Sequence, residues 1–397
     1  MIDRAHVWTG SLNERALGPL AGTHVGLYDT TLRDGEQTVG VVLSPEEKLE
    51  IARLLAEAGV DRIEAGFPRV SKEDWRAVEL MSSAGLAAEL WGFSRAVQAD
   101  VEALVELDLS ASVIESPISD FKLAAIGVSR ESMLERITNA VSYAVENGIT
   151  VAFFGVDGSR AEPDFFRAAY TAARDAGAAE IVVVDTLGIA SPEAAALLVG
   201  QAREAVGDSV PVHWHGHDDF GLATAAAVAA VRAGASWVHG TINGMGERGG
   251  NADLAEAALA LEALYGYTTN LRFDRVRVIS AKVQTRSGYD LEPWKPLVGE
   301  NLFTRESGAV AAQFHDPPSI EPYSSEVVGA SRGLVLGKKS GIDSIRIRAD
   351  ELGIDVDEDA RAAILAGVKE LGVRKGGLVS DEEFVEIVSQ SKANEQE

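Results

Sequence analysis

Three of the chain's seven histidines lie within five residues, in the segment His213-Trp-His215-Gly-His217. Positions i and i+2 of an extended strand project to the same side, so His215 and His217 can present two imidazoles to one ion. With a carboxylate from strand one as third ligand, they would suit a divalent ion that acts as a Lewis acid. A pair of hydrogen-bonded core histidines is the alternative, and it is our expectation for His213, which lies deeper in the strand.

Carboxylates for such a site occur near the start of the chain, in the stretch Leu27-Tyr-Asp-Thr-Thr-Leu-Arg-Asp-Gly-Glu-Gln37. A short apolar strand stops at Asp29 and opens into a polar loop that also holds Arg33 and Asp34. Ser44 and Pro45 then start a helix, since serine caps the free amides and proline suits the first helical position. A strand that ends in charge is where we expect chemistry, and a solvated loop is the alternative.

Composition excludes several classes of protein. The 397 residues exceed one average domain but fit one large α/β barrel with an appendage, and 46% apolar residues can fill its core. A formal net charge of −25 argues against binding to nucleic acid or to anionic membranes, because both need a basic surface. The chain has no cysteine, which excludes disulfides and thiolate ligands. Without a long apolar run or a secretory signal, we expect a cytoplasmic protein.

Short β-type runs alternate with amphipathic helical runs from residue 25 to about 265. We predict strands at 25–29, 61–65, 87–93, 110–115, 149–154, 180–185, 210–215 and 236–242. We predict helices near 45–58, 72–84, 98–107, 129–147, 162–176, 192–206, 221–233 and 251–265. Eight such units indicate a (β/α)8 TIM barrel, and a doubly wound open sheet is the alternative.

The rhythm changes after residue 266, where Pro and Gly become frequent. We therefore predict an N-terminal extension at 1–24, a catalytic barrel at 25–270, an irregular linker at 271–340 and a mostly helical C-terminal subdomain at 341–397.

Functional side chains of such barrels collect at the C-terminal ends of the strands. The polar residues predicted at these ends are Asp29, Glu64, Arg95, Glu115, Asp185, Thr186, His215, His217 and Asn243. A glycine-rich loop, Gly244-Met-Gly-Glu-Arg-Gly-Gly-Asn251, follows strand eight and leads into a helix, whose N-terminus favours phosphate or carboxylate. An ordinary tight turn is the alternative for this loop.

The joint pattern resembles the DRE-TIM metallolyases, in the branch of the homocitrate and isopropylmalate synthases, with the nitrogen-fixation-type homocitrate synthases most similar. The motifs that carry this resemblance are Asp29-Thr-Thr-Leu-Arg-Asp-Gly-Glu-Gln37, Glu64-Ala-Gly66, Asp185-Thr-Leu-Gly188, His215-Gly-His217-Asp-Asp-Phe-Gly221, Asn243-Gly-Met-Gly-Glu-Arg-Gly-Gly-Asn251 and Gly337-Lys-Lys-Ser-Gly341. Together they cover about residues 25–385.

The resemblance implies a role for each matching residue. Asp29, His215 and His217 would bind a divalent metal (Mg, Mn, Zn or Co), with Asn251 as a possible weaker ligand. Arg33 would steady the developing oxyanion. Glu64 would share catalysis with it, and the expected substrate-binding residues are Arg33, Gln37, Glu64, Arg95, Phe154 and Thr186. Acetyl-CoA would be held by the glycine-rich loop, through Gly246, Arg248, Gly249 and Asn251.

Several positions depart from the family pattern. Synthases of this family carry an acid-base glutamate after strand five and a histidine after the barrel, where this chain has Val156 and Val310. Because valine cannot transfer a proton, another group must serve or the reaction differs. The candidate replacements are Asp157, Asp218, Asp219 and His315. Phe153 and Phe154 replace polar residues, which indicates an acceptor less polar than 2-oxoglutarate.

Three functions follow from this resemblance. The first is a metal-dependent acyltransferase that condenses acetyl-CoA with a 2-oxo acid to give a homocitrate- or alkylmalate-like 2-hydroxy acid. The second is a C–C lyase or aldolase of the same superfamily, and the third is a non-catalytic binding protein. The resemblance also implies a homodimer in which C-terminal segments are exchanged between subunits.

Overall fold

In the computed structural model of the protein, which describes residues 2–17 and 22–394, eight parallel strands close into a barrel. They are β1 (Gly26–Asp29), β2 (Arg62–Glu64), β3 (Glu89–Arg95), β4 (Ala111–Pro117), β5 (Thr150–Val156), β6 (Glu180–Asp185), β7 (Val212–Gly216) and β8 (Trp237–Gly240). Each strand pairs with the next in sequence, and β8 pairs with β1. The predicted barrel and its eight strands are confirmed.

One compact unit contains the barrel and the described residues between 11 and 291. Its helices are α1 (Leu12–Leu17), α2 (Pro45–Glu57), α3 (Lys72–Ser82), α4 (Gln98–Glu106), α5 (Asp120–Ile126), α6 (Arg130–Glu146), α7 (Pro163–Asp175), α8 (Pro192–Val206), α9 (Ala223–Arg232), α10 (Leu254–Tyr265) and α11 (Phe273–Ser287). Helix α2 begins with the predicted cap, because Ser44 accepts a hydrogen bond from the Glu47 amide while the Glu47 carboxylate accepts one from the Ser44 amide.

Helix α11 lies in a stretch that was predicted to be irregular. Its buried side chains, Phe273, Val276, Ile279 and Val283, recur at helical spacing, but charged residues between them and the following Pro-rich segment obscured the pattern. Salt bridges tie α11 to α2, with Lys282 Nζ at 2.7 Å from Glu50 Oε1. The barrel unit therefore extends beyond the predicted boundary at residue 270. The short helix α5 was also not predicted.

The second compact unit consists of described residues 2–10 and 292–394. Its helices are α12 (Gly308–Ala311), α13 (Ile342–Leu352), α14 (Arg361–Lys375) and α15 (Asp381–Asn394), and its two short strands are β9 (Thr304–Arg305) and β10 (Gly333–Leu334). Ile345, Ile364, Val368 and Phe384 lie in its apolar core. Residue 1 and residues 18–21 of the predicted N-terminal extension, and residues 395–397 of the predicted C-terminal subdomain, lie outside the described residues. Within the described ranges, no helix is both long and apolar enough to cross a bilayer.

The inside of the barrel is filled by alternate residues of each strand, because successive side chains point to opposite faces. The middle of this interior is apolar and contains Tyr28, Trp91, Phe93, Ala111, Val113, Ala152, Phe154, Val182 and Val184. At the strands' N-terminal ends, Arg62 lies between the rings of Trp91 and Trp237, with its guanidinium carbon 4.4 and 3.7 Å from their centroids. Gly26 leaves room for Trp237, whose ring lies 2.2 Å from where a Cβ would be.

Glu180 neutralises Arg62 inside the barrel. Its carboxylate lies 2.6 Å from Arg62 Nη1 and 2.8 Å from His213 Nε2. Burial alone would raise the pKa of Glu180, but the hydrogen bonds from His213 and Arg62 lower it to about 2. Because this pKa is below the ordinary value of 4.5, the interaction contributes fully above pH 4.5 and its contribution is lost as the pH falls towards 2.

We predict that Glu180→Gln lowers the free energy of unfolding by about 3 kcal/mol at pH 7, because it removes the buried counter-charge of a buried guanidinium and leaves only the exposed Glu89. The loss should shrink as the pH falls from 4.5 towards 2, where the wild-type carboxylate becomes protonated. Urea unfolding across this pH range measures both effects. Glu89→Gln is the matched control, because Glu89 pairs with the same Arg62 but has a side chain that is 65% exposed. Equal losses in the two variants would contradict the prediction.

Candidate metal centre and active site

Three buried side chains meet at the C-terminal mouth of the barrel. The Asp34 Oδ2 atom lies 3.2 Å from His215 Nε2 and 3.6 Å from His217 Nε2. One ligand atom from each of the three residues lies within 4.8 Å of the others. In the described part of the chain, this is the one group of three or more His, Cys, Asp or Glu residues with that geometry. His215 and His217 therefore come together as predicted, but with a different carboxylate.

The hydrogen bond of His217 fixes which of its nitrogens can bind an ion. Its Nδ1 lies 3.1 Å from the Gly250 carbonyl oxygen, which can only accept, so Nδ1 carries the proton. Nε2 then presents a lone pair towards the Asp34 carboxylate. Burial lowers the pKa of His217 to about 4, so the imidazole is neutral near pH 7. Two electron-rich atoms that face each other in a buried site are stabilised by a cation between them, so this donor set fits a divalent metal.

The structure does not bring Asp29, the carboxylate predicted as a metal ligand, into the group with His215 and His217. Asp29 alternates with Tyr28, which faces the barrel interior and stacks on His239 at 4.0 Å, so Asp29 points away from the interior. Its carboxylate instead accepts hydrogen bonds from the Thr31 amide at 2.9 Å and the Thr31 hydroxyl at 3.0 Å. Burial raises the pKa of Asp29 to about 7.

Asp34 reaches the two histidines because the chain turns tightly after β1. The Asp34 amide donates to the Thr30 carbonyl at 2.9 Å, which folds the loop back over the mouth. Burial would raise the pKa of Asp34, but Arg33 and the two histidines hold it well below its usual range. The sequence signal that could have identified Asp34 is its position next to Arg33, in a loop rather than on the strand.

Asn251 is placed as a weaker ligand would require. Its backbone pairs with that of His217, and its Nδ2 donates to the Met245 carbonyl at 3.0 Å. The Oδ1 atom is buried and has no hydrogen-bond partner among the described residues. A buried amide oxygen without a donor is costly unless a ligand satisfies it. The structure is compatible with Asn251 as a fourth ligand, which stays a prediction.

Arg33 presents one unused donor beside the metal centre. Its Nε donates to Glu64 Oε2 at 2.7 Å, its Nη1 lies 3.6 Å from Asp34 Oδ2, and its guanidinium carbon lies 4.2 Å from the Phe93 ring centroid. The Nη2 atom is buried without a partner in the residues described. Glu64 also accepts hydrogen bonds from the hydroxyls of Tyr28 and Thr30, so it orients Arg33 and has little capacity left for a substrate.

Comparison with known proteins identifies the family. Residues 24–283 match the HMGL-like family, and residues 297–376 match the homocitrate synthase post-HMGL domain-like family. The chain belongs to the HMGL-like family.

Individual relatives are consistent with this membership. The chain is 42% identical over 364 residues to the homocitrate synthase AksA of Methanopyrus kandleri, covering 91% of each chain. It is 40% identical over 373 residues to the 2-isopropylmalate synthase of Methanocaldococcus jannaschii, covering 92% of this chain and 71% of the relative. The crystal structure of hydroxymethylglutaryl-CoA lyase from Pseudomonas aeruginosa matches with a TM-score of 0.61 at 20% identity, over 68% of this chain and 95% of that one, which supports the fold.

Asp157 follows β5 of this HMGL-like barrel but is not free to act as a base. Arg160 donates to its carboxylate from Nε at 2.9 Å and from Nη2 at 2.6 Å, and the Ser119 hydroxyl donates as well. The Asp157 amide donates to Thr186 Oγ1 at 2.8 Å, which places Thr186 at this end of the barrel. The structure therefore assigns the Asp157 carboxylate to the local fold rather than to the predicted acid-base role.

Two of the other predicted base candidates already have partners. Asp218 accepts a hydrogen bond from the Ala223 amide at 2.7 Å, and Asp219 forms a salt bridge with Arg248 at 2.9 Å. His315 lies in the second unit and is exposed. Two valines stand where the family has proton-transferring residues. Val156 lies on β5, and Val310 lies on α12.

The remaining residues predicted to bind the substrate differ in their positions and in the contacts they already make. Phe154 packs against His215, with ring centroids 5.0 Å apart, and against Phe93 at 6.2 Å. Gln37 and Arg33 line a cavity of about 330 Å³. Arg95 is half exposed and donates to Asp100 at 2.7 Å, so its guanidinium is already paired.

The glycine-rich loop contacts residues that follow β6 and β7. Arg248 adopts a left-handed backbone with φ of 56° and donates to the Thr186 carbonyl at 2.5 Å. A Cβ at Gly249 would lie 2.9 Å from the Asp218 carbonyl oxygen, and one at Gly246 would lie 2.3 Å from Asn251 Nδ2. Packing alone accounts for these two glycines, so contact of the loop with acyl-CoA stays a prediction.

We predict that Asp34→Asn weakens binding of Mn²⁺ or Zn²⁺ at least 100-fold, because the amide removes the charge that faces the two imidazoles. Isothermal titration calorimetry on the metal-stripped protein measures this change. Asp29→Asn is the matched control, since it also replaces a carboxylate by an amide, but on a residue that faces away from the barrel interior. Retained affinity in Asp34→Asn together with lost affinity in Asp29→Asn would restore the sequence-based assignment.

Proposed function

We propose that this protein is a divalent-metal-dependent acyltransferase that joins acetyl-CoA to a 2-oxo acid in a Claisen-type condensation and releases a 2-hydroxy acid. The observation that carries this proposal is the site formed by Asp34, His215 and His217 beside the unpartnered Nη2 of Arg33. Relatives named as homocitrate and 2-isopropylmalate synthases support the same reaction class. The homodimer with exchanged C-terminal segments remains a proposal from the family resemblance, and the cytoplasmic location remains a proposal from the composition of the sequence.

A divalent ion held by these residues would supply Lewis-acid polarisation of the keto group. The protein's own groups do the rest. The free Nη2 of Arg33 would donate to the oxygen on which negative charge develops, and Glu64 fixes the direction of that donor. The rings of Phe93 and Phe154 limit the access of water, which strengthens these electrostatic interactions.

The walls of the mouth favour an apolar acceptor. Phe154 lies beside the metal ligand His215, and Val156 is the next inward-facing residue on the same strand. A second carboxylate of a dicarboxylic acceptor placed against this wall would be desolvated without a partner, and burying an unpaired charge is expensive. We therefore propose a 2-oxo acid with a short or branched apolar side chain, which would give an alkylmalate-like product.

The experiment combines the protein, acetyl-CoA, Mn²⁺ or Mg²⁺, and a panel from pyruvate and 2-oxoisovalerate to 2-oxoglutarate, and measures release of free thiol. We expect release with the apolar acids, at a kcat/KM at least 10-fold above that for 2-oxoglutarate. Mass spectrometry of the products identifies the new C–C bond. Absence of thiol release across the panel would overturn the proposal.

A C–C lyase or aldolase is the second candidate, because Val156 and Val310 replace the proton-transferring residues of the synthases. Cleavage of a 2-hydroxy acid needs the same metal and the same arginine but no acetyl-CoA turnover. Incubation with candidate hydroxy acids, followed by detection of an oxo product without thiol release, would favour it over the condensation.

We predict that Arg33→Lys lowers kcat by about 100- to 1,000-fold, because a lysine cannot both pair with Glu64 and direct a second donor at the developing oxyanion. Metal affinity should change less than 3-fold, since Arg33 is not a ligand. Steady-state kinetics and calorimetry on one preparation separate the two effects. The exposed Arg76→Lys, on α3, is the control and should leave both values unchanged. A kcat for Arg33→Lys within 3-fold of the wild-type value would count against this role.

A further inference from the structure

Condensation with acetyl-CoA requires a base, because a proton must leave the acetyl methyl group before the new C–C bond can form. The identity of this base is inferred here, and the inference rests on the proposed function. Val156, at the mouth end of β5, has no proton-accepting atom. Six carboxylates near the mouth already form a hydrogen bond or a salt bridge. Their partners are His215 and His217 for Asp34, Arg33 for Glu64, Arg160 for Asp157, Lys48 for Glu36, the Ala223 amide for Asp218 and Arg248 for Asp219.

Asp185 does not qualify either. It alternates on β6 with Val184, which belongs to the interior cluster, so its carboxylate lies on the outer side of the strand. There its Oδ2 accepts a hydrogen bond from the Ala190 amide at 2.8 Å, which holds the turn after β6, while its buried Oδ1 has no partner among the described residues. The direction of the side chain, away from the barrel interior, is what excludes Asp185.

Glu115 is different from all of these carboxylates. On β4 it continues the inward-facing series of Ala111 and Val113, and its backbone lies in register with that of Phe154 on β5. Its carboxylate has no hydrogen bond and no salt bridge within 4.0 Å in the described chain, although it is only partly exposed. It is therefore a carboxylate at the mouth, on the strand next to Val156, whose lone pairs are available to a ligand.

The charges around Glu115 suit a proton acceptor. Burial raises its pKa, Glu64 and Asp34 raise it further, and Arg33 and Arg95 oppose this shift. A raised pKa makes the carboxylate a stronger base than an ordinary glutamate. Arg95 lies opposite Glu115 in the strand pairing but directs its guanidinium to Asp100.

We infer that Glu115 is the general base that removes the methyl proton of acetyl-CoA. The C–H bond breaks, its proton goes to a Glu115 oxygen, and its electron pair forms the enolate. The enolate carbon then bonds to the keto carbon of the acceptor, and the keto oxygen becomes an alkoxide that accepts a hydrogen bond from Arg33 Nη2. The proton on Glu115 returns to this alkoxide, and water hydrolyses the thioester to a carboxylate, free CoA thiol and one proton.

Glu115→Gln tests this assignment, with Glu106→Gln as the matched control, because Glu106 is an exposed glutamate on α4. We expect Glu115→Gln to lower kcat by about 100-fold or more, the usual size of a general-base contribution. Metal affinity and the acceptor dissociation constant should remain within 3-fold of the wild-type values. Glu115→Asp should recover part of the activity, and Glu106→Gln should behave as wild type.

A second measurement isolates the proton transfer itself. In D2O, with metal and a 2-oxo acid analogue that binds but does not react, the wild type should exchange the acetyl methyl protons for deuterium, as followed by mass spectrometry. Glu115→Gln should abolish this exchange. If Glu115→Gln turns over at the wild-type rate, the assignment of Glu115 as the base is overturned, but the proposed function is not. A wild type that releases no thiol with any acceptor overturns the proposed function, and the assignment falls with it.

Discussion

The site depends on one electrostatic constraint, which is that the Asp34 carboxylate shares a buried space with two imidazoles at the mouth of the barrel. The Asp34 carboxylate and the lone pair on His217 Nε2 face each other at 3.6 Å, and His215 Nε2 lies 3.2 Å from the same carboxylate oxygen. Without positive charge such an arrangement is unfavourable, because buried acceptors need donors or cations. The nearest fixed positive charge is Arg33, which lies 3.6 Å from Asp34 and offsets part of this repulsion. Arg33 is in turn paired with Glu64, so the group of Asp34, His215 and His217 and the guanidinium of Arg33 form one connected network.

The barrel separates its charges into two ends with an apolar layer between them. At the strands' N-terminal ends, Arg62 and Glu180 neutralise each other beside His213, and at the mouth Arg33 neutralises Glu64. Between them, aromatic and aliphatic side chains such as Trp91, Val113 and Val182 fill the interior. This layer keeps water away from both networks and therefore strengthens each of them. The two ends also differ in kind, because the guanidinium of Arg62 is paired with Glu180 and Glu89, whereas at the mouth Arg33 Nη2 and the Glu115 carboxylate have no partner among the described residues.

Much of the fold followed from the sequence because the period of its apolar residues changes cleanly between strand and helix. The eight strands and most of the barrel helices lie within a few residues of their predicted bounds. Helix α11 was not predicted, since its apolar face is diluted by charged residues. The histidine pair could be predicted from i, i+2 spacing. The carboxylate could not, because strand alternation turns Asp29 outward and only the three-dimensional path of the loop brings Asp34 over the mouth. The availability of Glu115 was equally hidden, since it depends on which neighbouring carboxylates already have partners.

The hydrogen bond between His217 Nδ1 and the Gly250 carbonyl joins two parts of the molecule that are distant in sequence. One is a strand-end imidazole, and the other is the glycine-rich loop, which Arg248 also joins to the Thr186 carbonyl and Thr38 joins through the Gly246 backbone. A shift of that loop by an ångström must either break this bond or rotate the ring. The position of the loop and the orientation of the His217 ring are therefore coupled. A molecule that binds to the loop and moves it would also change the direction of the lone pair on His217 Nε2.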